Sequence, residues 1–158
     1  MGGIPSVALE DTSVRRFIFP TLAAFILVAT AHSAPASDAA VRVIVNPQVK
    51  GTQVPRAVLA SIFLREAKLW ADGSPVVPVD QSVRSAVRRT FSSRILDKQL
   101  LDVQVYWQRK MTTGLVPPPV KTSDDEVIAF VSSTPGAIGY VSIETSVPTS
   151  VKTIEVTN

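Results

Sequence analysis

The sequence predicts an α/β domain in which short strands alternate with amphipathic helices. Runs rich in β-branched residues, such as Val41–Val45, have the composition and partial alternation of strands. Other stretches, such as residues 82–96, repeat their apolar residues at helical spacing. Because parallel strands are joined by crossover connections, and helices separate these strands, at least some strand pairs should be parallel.

The first half of the predicted domain contains two strands and a helix. A strand at Val41–Val45 ends in the turn pair Asn46-Pro47. A helix follows at about residues 55–64, opened by a proline that the first helical turn tolerates. Residues 69–75 form an aromatic-anchored loop with an Asp-Gly turn, and residues 76–79 form a short strand whose proline favours a strand end or edge.

Two helices are predicted in the middle of the chain. The first covers residues 82–96, with Asp80 or Ser82 as its N-cap. Its apolar residues recur four positions apart: Val83, Val87, Phe91 and Ile95. The second begins at Asp97 and ends near residue 112, although its middle also alternates as a strand would.

The last part of the chain returns to strands after one more helix. Residues 115–121 contain three consecutive prolines and form an extended connector. Residues 123–126 have the pattern of a capping box and open a short helix, which residues 135–136 end. Strands are predicted at residues 138–143 and 151–156.

Residues 1–33 have the organisation of a secretory signal peptide. Two arginines precede an apolar run over residues 17–31, and small residues suited to cleavage follow. Cleavage is predicted after Ser33, or as late as Ala36. Because the apolar run is shorter than the roughly 20 residues that a spanning helix needs, we expect export and no stable membrane span after cleavage.

The composition excludes several classes of enzyme. The chain has 158 residues, no Cys and one His, and that His lies within the predicted signal peptide. The mature chain therefore has no disulfide, thiol nucleophile, zinc site of the Cys/His type or Ser-His-Asp triad. We expect one non-enzymatic domain of about 125 residues, with no cofactor and no metal.

A cluster of arginines is the main charged feature of the sequence. Its members are Arg84, Arg88, Arg89 and Arg94, and no acidic residue lies between Asp80 and Asp97. At helical spacing Arg84 and Arg88 share a face, where they could help to hold an anion. The alternative is a solvated helix face. The net charge of only +3 does not favour nucleic-acid binding.

The order of several segments resembles that in one family of proteins. The segments are Asn46-Pro47, residues 59–64, 70–73, 78–81 and 85–91, Tyr106-Trp107, Thr113-Gly114 and residues 135–141. This order is similar to that in the substrate-binding proteins of bacterial phosphate ABC transporters, above all in their short single-lobe relatives. The resemblance implies a periplasmic protein. It also implies one lobe of the type II periplasmic-binding-protein-like fold over residues 41–143, a mixed sheet flanked by helices, with a C-terminal strand or tail at residues 144–158.

The resemblance also implies a binding site. In the family, a Ser-Gly-Thr motif at a helix N-terminus holds phosphate, and an arginine four residues before the serine is a further ligand. Ser85-Ala86-Val87 and Gln81 occupy these positions here. The predicted oxyanion ligands are therefore Gln81, Ser85, Ala86 and Arg88. Because one lobe leaves an anion exposed, we expect weak binding, or binding completed by a second subunit or another envelope protein.

Two functional hypotheses remain open at this stage. The first is an exported, non-enzymatic substrate-binding-protein-like domain that binds phosphate or another oxyanion. The alternative is an envelope interaction module, which has kept the fold, has lost ligand binding and docks to another protein.

Overall fold

The computed structural model describes residues 40–158; the predicted signal peptide and both cleavage sites lie outside this part of the chain. The strands are β1 Val41–Val45, β2 Gln53–Pro55, β3 Val77–Pro78, β4 Asp80–Gln81, β5 Val120–Lys121, β6 Ala137–Ser142 and β7 Lys152–Thr157. The helices are α1 Arg56–Phe63, α2 Ala86–Arg94, α3 Leu100–Met111 and α4 Asp124–Ser133. No helix among the described residues is long and apolar enough to cross a membrane.

Five strands form a mixed sheet in the order β2-β7-β1-β6-β3. β1 pairs antiparallel with β6 and β7, whereas β2 with β7 and β3 with β6 are parallel. The predicted α/β class with some parallel pairing is therefore confirmed. β7, from the predicted C-terminal strand or tail at residues 144–158, lies inside the sheet between β2 and β1.

Helices cover both faces of this sheet. Along β1, Val43 and Val45 pack into one apolar cluster together with side chains of α1, α2 and α3. Ile44 points to the opposite face and packs with α4. This division follows from the two-residue period of a strand, which sends neighbouring side chains to opposite faces.

An aromatic stack fixes α2 against the sheet. The rings of Phe91 in α2 and Tyr140 in β6 lie parallel, with centroids 3.8 Å apart. Phe63 in α1 packs on Phe91 at 4.6 Å. All three side chains are buried, so the stack sets where the N-terminus of α2 lies relative to β6.

The helix predicted at residues 82–96 is too long at its N-terminus. α2 begins at Ala86 and Ser85 is its N-cap, so the prediction of Asp80 or Ser82 as the cap is wrong. Val83 is 65% exposed rather than part of the buried stripe. Arg84 precedes the helix and therefore shares no helical face with Arg88.

The short strand predicted at residues 76–79 is present as β3, Val77–Pro78. β3 belongs to the large sheet, and after Val79 the chain turns to β4, which pairs in parallel with β5. Residues 103–107 are helical within α3, so their strand-like alternation does not decide their structure. The pairing of β4 with β5 brings Asp80 and Gln81 beside the proline-rich connector.

Candidate functional site

Ser85, which the resemblance assigns to the oxyanion site, is the N-cap of α2. The Ser85 hydroxyl oxygen accepts a hydrogen bond from the Arg88 backbone N–H at 3.3 Å. The Ser85 N–H in turn donates to the Ser82 carbonyl at 2.9 Å, which closes a turn before the helix. Serine favours this position because its oxygen satisfies a helix N–H that has no partner within the helix.

Gln81 connects this cap to the rest of the domain. Its side-chain oxygen accepts from the Ser85 hydroxyl at 2.7 Å. Its side-chain nitrogen donates to an Asp124 carboxylate oxygen at 2.7 Å and to the Tyr140 carbonyl at 2.9 Å. The residue is only 3% exposed. Its polar atoms therefore already have partners within the chain, and its role as an oxyanion ligand stays a prediction.

Asp124 is the point where α4 joins this network. It is the first residue of α4. Its second carboxylate oxygen accepts from the Ser142 N–H at 2.9 Å and from the Thr145 hydroxyl. One carboxylate thus fixes the end of β6 and, through Gln81, the cap of α2.

Arg88 is buried, not part of a solvated helix face. Its guanidinium pairs with Asp80 at 2.9 Å and donates to the Ser92 hydroxyl at 2.7 Å. The same carboxylate accepts hydrogen bonds from the Tyr140 hydroxyl and from the Gln81 N–H, the latter at 2.8 Å. This places Arg88 among structural partners, and its role as an oxyanion ligand stays a prediction.

Burial shifts the pKa values of two residues in this network, Asp80 and Tyr140. Loss of hydration raises the pKa of Asp80 above its ordinary value, and the Arg88 guanidinium opposes that shift. Burial also raises the pKa of Tyr140 well above its usual 10.0, so the phenol stays protonated and donates to Asp80.

The donors that face solvent at this site belong to the main chain of α2 and to two arginines. Ala86 is exposed, and the N–H groups of Ala86 and Val87 donate to no residue in the described part of the chain. The guanidinium of Arg89 folds back to the Arg84 carbonyl at 3.2 Å, beside the start of the helix. Arg89 was not among the ligands predicted from the sequence, although it belongs to the cluster of arginines that contains no acidic residue.

A cavity of about 590 Å³ adjoins this network on the side of α3. Most of its lining is apolar and comes from the loop after β4, from α3 and from the proline-rich connector. Among its residues are Val83, Val103, Trp107, Met111, Pro118 and Val120. Trp107 is half-buried and packs edge-on against Tyr106.

Comparison with known proteins finds a likeness in three dimensions. No family model matches the sequence, and no curated protein matches it. One similar structure is a phosphate ABC transporter substrate-binding protein from Clostridium perfringens, solved with bound phosphate. It is 18% identical to this chain, with a TM-score of 0.59, and the match covers 73% of this chain and 44% of that chain. An ABC-type phosphate transport receptor from Vibrio cholerae is 22% identical with a TM-score of 0.55 over 73% and 45%.

PstS from Borrelia burgdorferi is 21% identical, with a TM-score of 0.59 over 75% of this chain and 47% of that chain. The chain thus spans less than half the length of each of these proteins. At these identities the likeness concerns the fold. The described domain has the fold of one periplasmic-binding-protein lobe, and it shares that fold with substrate-binding proteins of phosphate ABC transporters.

Proposed function

We propose that this chain is an exported, non-enzymatic domain of the substrate-binding-protein kind, which binds an oxyanion such as phosphate weakly at the N-terminus of α2. The observation that carries the proposal is the open start of this helix. There the Ala86 and Val87 N–H groups have no acceptor among the described residues, and Arg89 lies beside them.

The physical basis is the charge at the start of a helix. Aligned peptide dipoles give the N-terminus of a helix about half a positive charge, and its free N–H groups point along the axis. The exposed guanidinium groups of Arg84 and Arg89 add full charges beside it. The two carboxylates nearest this helix start, Asp80 and Asp124, already accept bonds from groups within the chain.

The exposure of this site to solvent determines how tightly we expect it to bind an anion. An anion at this position keeps most of its contact with water, and few donors hold it, so a dissociation constant on the order of millimolar, or about −4 kcal/mol, is expected. A second subunit or an envelope partner that closed over the site would strengthen binding by excluding that water.

A proline substitution at Ala86 tests the site with little effect on the fold. Ala86 is the first residue of α2, where proline is well tolerated, and Ser85 already has the extended conformation that a residue before proline requires. Ala86→Pro removes one N–H donor and leaves the helix intact. The matched control is Leu100→Pro at the first position of α3, where Gln99 before it is also extended. It removes one N–H donor from another helix start and leaves the charge of the chain unchanged.

The measurement is a calorimetric titration of residues 34–158 with phosphate and, separately, with sulfate. We expect saturable heat with the parent chain and with Leu100→Pro, and binding weakened about tenfold by Ala86→Pro, because about 1.4 kcal/mol of a charge-assisted hydrogen bond is lost. Absence of heat at millimolar anion, or equal binding by Ala86→Pro, would contradict the proposal.

Export has its own test. If residues 1–33 are a signal peptide, mass spectrometry of the protein from the periplasmic fraction will find an N-terminus at Ala34, or at Ser37 if cleavage follows Ala36. Recovery of the uncleaved chain would contradict export by this route.

A second function, docking to another envelope protein, is favoured by a separate observation. The side chains of Gln81 and Arg88 already bond within the chain, and an open apolar cavity adjoins them. Both features suit a domain that contacts a protein beside its anion site.

A further inference from the structure

The apolar cavity beside α2 is an open groove with exposed hydrophobic walls. Val83 in the loop after β4, Met111 in α3 and Val120 in β5 are 65%, 53% and 57% exposed. All three line the same cavity. Large apolar side chains that cluster in one concavity, instead of lying singly on a surface, indicate a binding surface.

The interior of the groove is formed by one stripe of α3. Its members are Leu100, Val103, Gln104, Trp107, Gln108 and Met111. They recur at three- and four-residue intervals along this 12-residue helix, so they share one face. Trp107 supplies a large apolar surface, and the two glutamine side chains, both exposed, supply hydrogen-bonding groups at the margin.

Two exposed arginines lie beside one wall of the groove. Residues 81–96, which contribute the loop after β4 and α2, contain four arginines and no acidic residue. Arg88 is paired with Asp80, whereas Arg84 and Arg89 are exposed. Arg109 and Lys110 on α3 line a separate cavity together with Asp97 and Asp102. The cationic margin of the groove is therefore formed by Arg84 and Arg89.

The one acidic residue that lines the groove does not offset this charge. Asp80 is buried and paired with Arg88 at 2.9 Å. Arg84, by contrast, is exposed directly beside Val83, and the guanidinium of the exposed Arg89 donates to the Arg84 carbonyl at 3.2 Å. The groove therefore joins an apolar interior to a cationic margin, and it attracts anionic partners.

We propose that this groove binds an acidic amphipathic segment of a partner protein. Such a segment would place its apolar residues on Trp107 and Met111 and its carboxylates toward Arg84 and Arg89. An anionic membrane would satisfy the charge alone, but a bilayer takes up protruding apolar side chains, whereas this surface is concave. The proposal deepens the docking function by naming its surface and partner chemistry, and it does not depend on oxyanion binding.

Selection from a displayed library of random peptides tests the proposal without assuming a sequence. Peptides of about 15 residues are long enough to lie along the 12-residue α3. Residues 34–158 would serve as the target, and the enriched peptides would be synthesised with a fluorophore and titrated by anisotropy. We expect them to carry a net negative charge and apolar residues at helical spacing, and to bind more weakly as salt rises.

Matched substitutions locate the binding surface. Met111→Gln and Val83→Gln alter exposed groove residues and should weaken binding about tenfold each. Leu101→Gln is the control, because Leu101 is 68% exposed on the same helix but does not line the groove. It should leave affinity unchanged, and thermal unfolding by circular dichroism checks that each variant folds.

Three outcomes would overturn the proposal. The first is enrichment of neutral or basic peptides, and the second is binding that Met111→Gln and Leu101→Gln reduce equally. The third is stronger binding to vesicles of phosphatidylglycerol than to any selected peptide, with loss of that binding in Met111→Gln, which would assign the surface to a membrane. Because phosphate titration is a separate measurement, failure here leaves the test of the oxyanion site unaffected.

Discussion

The polar network beneath α2 and the apolar groove beside it are neighbours with opposite chemistry. In the network, buried charged and amide groups satisfy one another, as the Asp80–Arg88 pair and the Gln81 side chain show. In the groove, Val83 and Met111 are more than half exposed. The comparison indicates that the network holds the site in place, while the helix start and the groove are available for binding.

The largest expected effect on stability comes from breaking the buried ion pair. Arg88→Met removes the guanidinium and leaves the Asp80 carboxylate buried with less compensation. We expect a loss of about 3–5 kcal/mol in the free energy of unfolding, measured with urea. The double variant Asp80→Asn with Arg88→Met should recover part of this loss because it removes the unpaired charge. If the double variant is less stable than the single one, the pair is not the source of the effect.

Gln81→Leu should have the next largest effect. It removes the bonds to Ser85, Asp124 and the Tyr140 carbonyl and leaves buried acceptors unsatisfied. A loss of about 2 kcal/mol is expected by urea unfolding. Gln53→Leu is the control, because Gln53 is exposed and makes one bond, to Glu155 at 3.0 Å; it should change stability by less than about 0.5 kcal/mol. Equal losses in the two variants would contradict a bridging role for Gln81.

Two serine caps separate stability from binding. Ser85 caps α2 and Ser123 caps α4 in the same way, each accepting from an N–H three residues later. Ser85→Ala and Ser123→Ala should each cost about 1 kcal/mol in thermal or urea unfolding. Only Ser85→Ala should also weaken phosphate binding in calorimetry, because only it disturbs the start of α2. Parallel loss of binding in both variants would place the anion elsewhere.

The smallest expected effect is a dependence on pH at the start of α4. Hydrogen bonds from the Thr122 backbone N–H and hydroxyl lower the pKa of Glu126 below its ordinary value of 4.5. The ionised carboxylate therefore stabilises the folded state above that ordinary pKa, and this stabilisation is lost as the pH falls through the lowered pKa. In urea unfolding between about pH 3 and pH 7, the advantage of the parent chain over Glu126→Gln should shrink with acidity. An advantage that grew with acidity would contradict the assignment.

Local patterns predicted α1, α4 and four strands of the large sheet (β1, β3, β6 and β7) well, because each carries its own signal. At α4, for example, Ser123 and the acidic first turn specify where the helix begins. The three-residue edge strand β2 was not predicted. The start of α2 was harder, since Asp80, Ser82 and Ser85 are all acceptable caps by residue type. Tertiary contacts decide among them, because β4 pairs with β5 and the turn at Ser82 delays the helix until Ala86.

Burial was the information that the sequence could not supply at the candidate site. Arg88 follows the pattern of a surface cation, yet only 4% of it is exposed, and it pairs with the buried carboxylate of Asp80 at 2.9 Å. Gln81 and Ser85, which the resemblance assigned to one binding site, are joined by a hydrogen bond of 2.7 Å, and their role as ligands stays a prediction. The resemblance could not show that Asp124, 43 residues further along the chain, binds the Gln81 side chain.

The most direct test of the central claim is a phosphate titration of the isotope-labelled domain, residues 34–158, followed through the amide signals in nuclear magnetic resonance spectra. The account predicts that the largest shifts occur at Ala86 and Val87, with saturation at millimolar phosphate on the order expected for a few charge-assisted hydrogen bonds. The account would be contradicted if the amide signals at the start of α2 did not shift, or if the shifts were concentrated on another part of the domain.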